Sequence, residues 1–325
     1  MLACIALLWP LPGLRALLAA HDFTADGLCR RVGVDTVYDL STGADGRAES
    51  TLADGLDVPQ HLFIDCGSVE ATVAETHLGA DALALLVQFG LLEHEDGGVQ
   101  ATVLLYPNGT LYLVSDLRPT AGFARALEGL DVVYPALTSS VRMFLSTLPV
   151  ATGTRYLELC SGTGVAALLA AQQGATRAVA VDITERSTRF AEFNARLNAV
   201  AIQARQGDLY APVEGEQFDC IVAHPPFVPA AAQHAIFRDG GVDGEQISRA
   251  IVARAADCLA VGGVLHVTCL VAARRNAPAL QRVREILGAH ADAFDLLLLE
   301  NGVSDLAAHF LRQLDAATPE EVPGL

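Results

Sequence analysis

"LELCSGTGVAALLAA", residues 157–171, opens like a buried strand, passes through a glycine turn and closes like a helix. The strand is expected to end at Leu159 or Cys160 and the helix to open near Val165. Gly162 and Gly164 fall in the turn between them, where the missing Cβ lets backbone approach a ligand. The free N–H groups of a helix start favour polar or anionic ligand groups. Asp182 closes the next strand, "AVAVDI", and an acid at that distance can bind both hydroxyls of a ribose. Gly162-x-Gly164-x-x-Ala167 also fits a dinucleotide fingerprint. The stretch therefore points to an adenosine-type cofactor without saying which one.

Outward from this stretch the pattern is regular. "TRYLELC", "RAVAVDI", "AIQARQGDLY", "FDCIVAH" and "VLHVTCLV" read as strands, and the segments between them as helices. Such alternation predicts a mostly parallel sheet with helices on both faces, an α/β fold. Before residue 134 the character changes. "LGADALALLVQFGLLEHEDGG" has helical spacing through Leu83, Leu86, Val87 and Leu91, then a Gly-Gly stop. Two β-rich runs flank Pro107-Asn108-Gly109, a strong hairpin signal. We expect a smaller, mixed α+β, winged-helix-like domain over 1–133 and a cofactor-binding catalytic domain over 134–325. "PALTSSVRMFLSTLPVATG" is the connecting helix, and the tail "TPEEVPGL" is expected to be loose.

Composition narrows the classes. Of 325 residues, 52% are hydrophobic and 18% charged, as in a globular protein, and the net charge is -17. All 21 basic residues are Arg. Residues 1–135 carry 18 Asp and Glu against 6 Arg, a field that opposes binding to nucleic acid. The N-terminal domain is accordingly read as a scaffold or substrate lid. Seven cysteines form no CxxC pair and read as free thiols of a reducing cytoplasm. The apolar start, "MLACIALLWPLPGLRALLAA", lacks a basic n-region and is broken by Pro10, Pro12 and Arg15, so no signal peptide is expected. No membrane span and no metal site are expected, because the histidines show no ligand spacing.

Three features separate the cofactors. Glu158 lies just ahead of the glycines, where a pyrophosphate would be repelled and the cationic amino-acid end of S-adenosylmethionine attracted. Asp208 in "QGDLY" can accept from an adenine amine while Leu209 packs on the ring. "AHPPF" follows the fourth strand. The order "ELCSGTG", "VAVDI", "QGDLY", "DCIVAHPPF" resembles the class I S-adenosylmethionine-dependent methyltransferases, over about residues 134–299. More narrowly it is similar to their Asn-Pro-Pro-(Tyr/Phe) branch, which includes glutamine N5-methyltransferases and nucleic-acid N-methyltransferases. The resemblance implies a Rossmann-like, seven-stranded domain. It implies that Glu158, Cys160, Gly162 and Gly164 line the methionine end and adjoining ribose, that Asp182 holds the ribose, and that Ile183, Asp208 and Leu209 hold the adenine. It also places Thr138 to Ser140 near the cofactor carboxylate.

In that branch the position of His224 is Asn. The Asn carbonyl and the next Pro carbonyl accept hydrogen bonds from a planar nitrogen, and the motif aromatic, Phe227 here, packs on the substrate. The resemblance thus makes His224, Pro225 and Phe227 the catalytic turn. His224 either accepts one N–H beside Pro225, acts as a general base, or is structural. Tyr134, Arg238 and, less directly, His234 and Asp239 are candidate acceptor-pocket residues, and Glu245 is expected at a helix start. The expected activity is methyl transfer to a nitrogen or oxygen of a small-molecule or protein acceptor, in the cytoplasm. The alternatives are a protein glutamine N5-methyltransferase, then an rRNA or DNA base N-methyltransferase, and outside the methyltransferases a nicotinamide-dependent oxidoreductase or a non-catalytic cofactor-binding module.

Overall fold

The computed structural model describes residues 11–40, 52, 54–117, 131–230, 235–272, 274–300 and 302. The first ten residues, His234 and the tail "TPEEVPGL" lie outside the described residues, and with them the expectations placed there. The contacts divide the chain into two units, residues 1–273 and 274–325.

The first unit begins with α1 (Leu11–Ala20), α2 (Ala25–Val32) and α3 (Asp57–Phe63). Helix α2 starts where Thr24 accepts from the Gly27 N–H, and stops at Gly33, whose φ of 78° is left-handed. Then follow β1 (Ser68–Glu70), α4 (Ala71–Leu78), α5 (Ala80–Gln88), β2 (Leu92–Glu95) and β3 (Gly98–Ala101). These strands form an antiparallel sheet in the order β1-β3-β2. The helix expected to run through Leu91 ends at Gln88, and Gly90 at φ 67° turns the chain into β2 instead. The hairpin expected at Pro107-Asn108-Gly109 is present as β4 (Leu104–Asn108) and β5 (Leu111–Ser115), but it forms its own two-stranded sheet.

Both strands of the hairpin are buried along their whole length, and only the turn at Gly109 and Thr110 is exposed. An isolated two-stranded ribbon is marginal in water, so it needs cover. The core supplies it: Leu105, Leu113 and Phe23 belong to one apolar cluster with Phe190, Phe193 and Leu197 of the downstream α/β part.

That part comprises α6 (Ser139–Ser146), β6 (Arg155–Leu159), α7 (Val165–Gln172), β7 (Arg177–Asp182), α8 (Glu185–Leu197), β8 (Gln203–Gln206), β9 (Phe218–Ala223), α9 (Gln246–Ala253), α10 (Ala255–Cys258) and β10 (Leu259–Val267). The strands form an all-parallel sheet in the order β10-β9-β6-β7-β8. This is the α/β architecture read from the alternation. Among the described residues it has five strands, not seven. Residues 294–300 join no ladder among the described residues, and residues 303–325 are outside the description. The second unit contains α11 (Ala279–Leu287) and a following 3-10 turn, Gly288–Ala293. Among the described residues no helix is long and apolar enough to cross a membrane.

Candidate functional site

The sheet order reverses at β6, which pairs with β7 on one edge and β9 on the other. Ligands of open α/β sheets bind at such a switch point, beyond the strand C-termini. The register pairs Leu159 with Ala223, so the next residues, Cys160 and His224, leave the sheet side by side. Adjacent strands are roughly 5 Å apart, so the glycine turn and the His-Pro-Pro-Phe turn share one crevice.

Glu158 sits at the last turn of β6 and is buried. Its two carboxylate oxygens accept from Ala166 N–H at 3.2 Å and Ala167 N–H at 2.8 Å, which are orphan donors of the α7 N-terminus. Burial nevertheless pushes its carboxyl up to about 8, with those two donors pulling the other way. The side chain expected to face a ligand cation is thus first a helix cap, and a carboxylate keeps further lone pairs for a ligand.

Cys160 turns the chain at φ 54°, a left-handed conformation that costs a side chain about 1 kcal/mol. Burial raises its thiol far above the ordinary range, so it is protonated at neutral pH. Gly164, at φ 77°, has no room for a side chain: a Cβ would lie 2.9 Å from Ala191 Cβ on α8. At Gly162, φ 50°, a Cβ would meet no atom within 4 Å. One glycine is there for packing and the other faces open space.

Asp182 ties the turn to the next helix. Its Oδ2 accepts from Gly162 N–H at 2.9 Å, and its Oδ1 from Thr184 N–H at 3.1 Å. Thr184 in turn caps α8 through Ser187 N–H. Beside Asp182, Ile183 is half exposed, a large apolar group left at the crevice. Asp208 is exposed, and Leu209 turns at φ 44° with its side chain against the sheet core.

The second turn is rigid and backed. Val228 N–H donates to Arg238 O, Gly240 N–H to Val228 O, and Ala230 N–H to Gly241 O. A Cβ on Gly240 would come within 2.7 Å of Pro226 O, so the Gly-Gly loop lies directly on the proline turn. His224 stacks on Phe144 of α6 at 5.4 Å and is tilted against Phe227 at 5.6 Å. Burial alone holds its imidazole down at about 4, and its buried Nε2 has no hydrogen-bond partner among the described residues. His266 of β10 also stacks on Phe144, at 5.9 Å.

The remaining candidates separate. Tyr134 stacks on Phe237 at 4.8 Å, between the segment before α6 and the loop after the proline turn. Arg238 donates to the buried carboxylate of its neighbour Asp239, which also accepts from Ala235 N–H. Thr138 caps α6 through Val141 N–H, and Ser140 bonds to it at 3.0 Å. Glu245 starts α9 as expected, and its carboxylate reaches Ala272 N–H. Phe144, Phe237 and His266 were not legible as site residues, because they come from other elements. Ser161 was legible as part of the turn, and its buried hydroxyl has no partner among the described residues.

Open space at Gly162, the unused polar atoms of Ser161 and His224, and carboxylates at Glu158 and Asp182 suit a polar adenosyl ligand with a cationic end. Among the described residues no three His, Cys, Asp or Glu side chains cluster as metal ligands.

Residues 136–293 match the family model of the methyltransferase small domain. An inferred protein N5-glutamine methyltransferase of Methanocaldococcus jannaschii is 34% identical over 117 residues, 34% of this chain and 59% of that protein. A ribosomal protein uL3 glutamine methyltransferase of Bradyrhizobium diazoefficiens is 33% identical over 124 residues, 34% of this chain and 39% of that one. A solved methyltransferase of Pyrococcus furiosus is 25% identical, with a TM-score of 0.36 over 51% of this chain and 80% of that chain. The chain thus spans well under two thirds of the length of these curated relatives. Residues 136–293 thus match a methyltransferase small domain, and over that stretch the chain is similar to S-adenosylmethionine-dependent methyltransferases.

Proposed function

We propose that the protein transfers a methyl group to a nitrogen of a small-molecule or protein acceptor. The observation that carries this reading is the adjacency of the two turns, fixed by the Leu159–Ala223 register. When bound, S-adenosylmethionine supplies an electrophilic methyl carbon on its sulfonium. Glu158 holds the cationic amino-acid end, Asp182 the ribose hydroxyls, and Asp208 with Ile183 and Leu209 the adenine. Gly162, Gly164 and Cys160 shape the turn beneath them.

His224 favours nitrogen over oxygen. A base held at about 4 removes protons weakly at neutral pH, whereas a neutral imidazole offers an acceptor lone pair. Its partnerless Nε2 speaks against a structural role. With Pro225 O it would accept N–H groups and fix the lone pair of the attacking nitrogen, which is positioning rather than base catalysis. Phe227 and the Tyr134–Phe237 stack would flank the acceptor, and Arg238, engaged by Asp239, is the weakest pocket candidate.

Residues 1–133 would act as an accessory domain to the catalytic 134–325. Its helix–strand–helix–helix–strand–strand unit is winged-helix-like in element order, but residues 54–101 carry nine Asp and Glu and no Arg. That charge supports a protein or small-molecule acceptor in the cytoplasm rather than a nucleic acid. Calorimetry with S-adenosylhomocysteine and NAD, followed by labelled methyl transfer into fractionated lysate, tests the reading. Binding of S-adenosylhomocysteine and label in protein or metabolite fractions is expected. Preference for NAD overturns it.

A further inference from the structure

Helix α8 carries Asn194 and is capped at its C-terminus by Asn198, two buried asparagines four residues apart. Each binds one residue of β5 through both backbone groups. Asn198 Oδ1 accepts from Tyr112 N–H at 2.8 Å, and its Nδ2 donates to Tyr112 O at 2.6 Å. Asn194 Oδ1 accepts from Val114 N–H at 2.8 Å, and its Nδ2 donates to Val114 O at 3.1 Å. Two residues along a strand advance about 6.7 Å and four along a helix about 6 Å, so the spacings match. The carboxamides thus replace a neighbouring strand along the outer edge of the hairpin. One step further, Asp116 meets Arg186 of the same helix.

The two asparagines differ in one respect. The second Nδ2 hydrogen of Asn198 goes to Asn194 O, within α8. That of Asn194 goes to Thr163 O at 3.0 Å, inside the glycine turn. Thr163 lies between Gly162, held by Asp182, and Gly164, packed on Ala191. One buried carboxamide therefore joins the hairpin edge to the cofactor turn.

We propose that Asn194 is a positioning residue that couples docking of the β4–β5 hairpin to the shape of the glycine turn, so that hairpin order and cofactor affinity rise and fall together. Asn198 holds the same hairpin without touching the turn. The proposal takes the identity of the ligand from the methyltransferase reading, but not the coupling itself. Coupling of this kind is reciprocal: a ligand that orders the turn must also order the hairpin.

The test uses the full chain and hydrogen exchange followed residue by residue. Asn194→Asp keeps size and the Val114 N–H acceptor but turns an oxygen toward two carbonyls; Asn194→Ala is the milder partner should the first not fold. Asn198→Asp is the control. All three should speed exchange at Tyr112 or Val114. Only the Asn194 variants should speed exchange at 162–165 in ligand-free protein, and only they should raise the S-adenosylhomocysteine Kd, by about fivefold or more. In the wild type, S-adenosylhomocysteine should slow exchange at Val114. Equal effects of Asn194 and Asn198 variants at 162–165, or none from either, overturn the coupling. If the wild type binds no S-adenosylhomocysteine, the methyltransferase reading fails, and exchange at 162–165 still decides the coupling.

Discussion

If Glu158 holds the cationic end of the cofactor as proposed, binding should be a proton-linked event. In the free protein the Glu158 carboxyl sits at about 8, because burial outweighs the donors of Ala166 and Ala167. At pH 7 it is then about nine-tenths protonated. A ligand ammonium favours the ionised form, so binding must expel that proton. The sign follows: raising the pH lowers the energy needed to ionise Glu158 and tightens binding. Between pH 5.5 and 7 the S-adenosylhomocysteine Kd should fall about 30-fold, which is about 2 kcal/mol at 1.36 kcal/mol per unit. An α-amino group remains cationic over this window, and His224, held at about 4, titrates below it. Calorimetry in two buffers of different ionisation enthalpy should report about 0.9 proton released per ligand at pH 7, from the same linkage. Glu158→Gln should bind more weakly and lose both the pH slope and the proton release. A flat Kd with no proton release would refute the reasoning. It would mean that two N–H donors at the α7 N-terminus already hold Glu158 ionised despite its burial.

The two glycines should part company on substitution. Gly164→Ala meets both a left-handed φ and the Ala191 methyl, and should cost about 2–3 kcal/mol of stability in urea unfolding. Gly162→Ala has only the conformational cost, about 1 kcal/mol, because its methyl would meet no atom within 4 Å, so it should remain folded while S-adenosylhomocysteine binding falls if the cofactor packs on this turn as proposed. For His224, whose folded value is depressed, the contribution to stability is present above its unfolded value and lost as pH falls from about 6.5 to 4; the difference in unfolding free energy between wild type and His224→Asn should shrink by up to about 3 kcal/mol across that window. The same variant should retain methyl transfer if the imidazole positions a nitrogen, and complete loss would favour the general base. Arg186→Gln strips the guanidinium from the buried carboxylate of Asp116, which among the described residues keeps only Val133 N–H, and should cost about 2–3 kcal/mol in urea unfolding.

The centre of the sheet was legible because β6, β7 and β9 are buried on both faces and read as nearly continuous apolar runs between helices; "RAVAVDI" can be little else. Strand β2 was not. "LEHE" has one buried residue in four, and its pairing depends on β3 rather than on its own composition. The site divides in the same way. Glu158, Gly162, Gly164 and Asp182 belong to one strand–turn–helix and the strand beside it, so their spacing along the chain is their spacing in space. Phe144, Phe237 and His266 reach the proline turn from separate elements, and no local pattern marks them.

The asparagines of α8 fall between these cases. In "FAEFNARLNAV" they share the helical face of Phe190, Phe193 and Leu197, and a polar residue repeated in an apolar stripe demands partners. The sequence shows that a debt of hydrogen bonds exists on that face; only the fold shows it is met by Val114, Tyr112 and Thr163. The same logic applies to His224. Nothing local distinguishes a base from a positioning acceptor at the end of β9. The proposed distinction rests on burial against Phe144 with no acidic neighbour among the described residues, which keeps the ring neutral and favours orientation over proton removal.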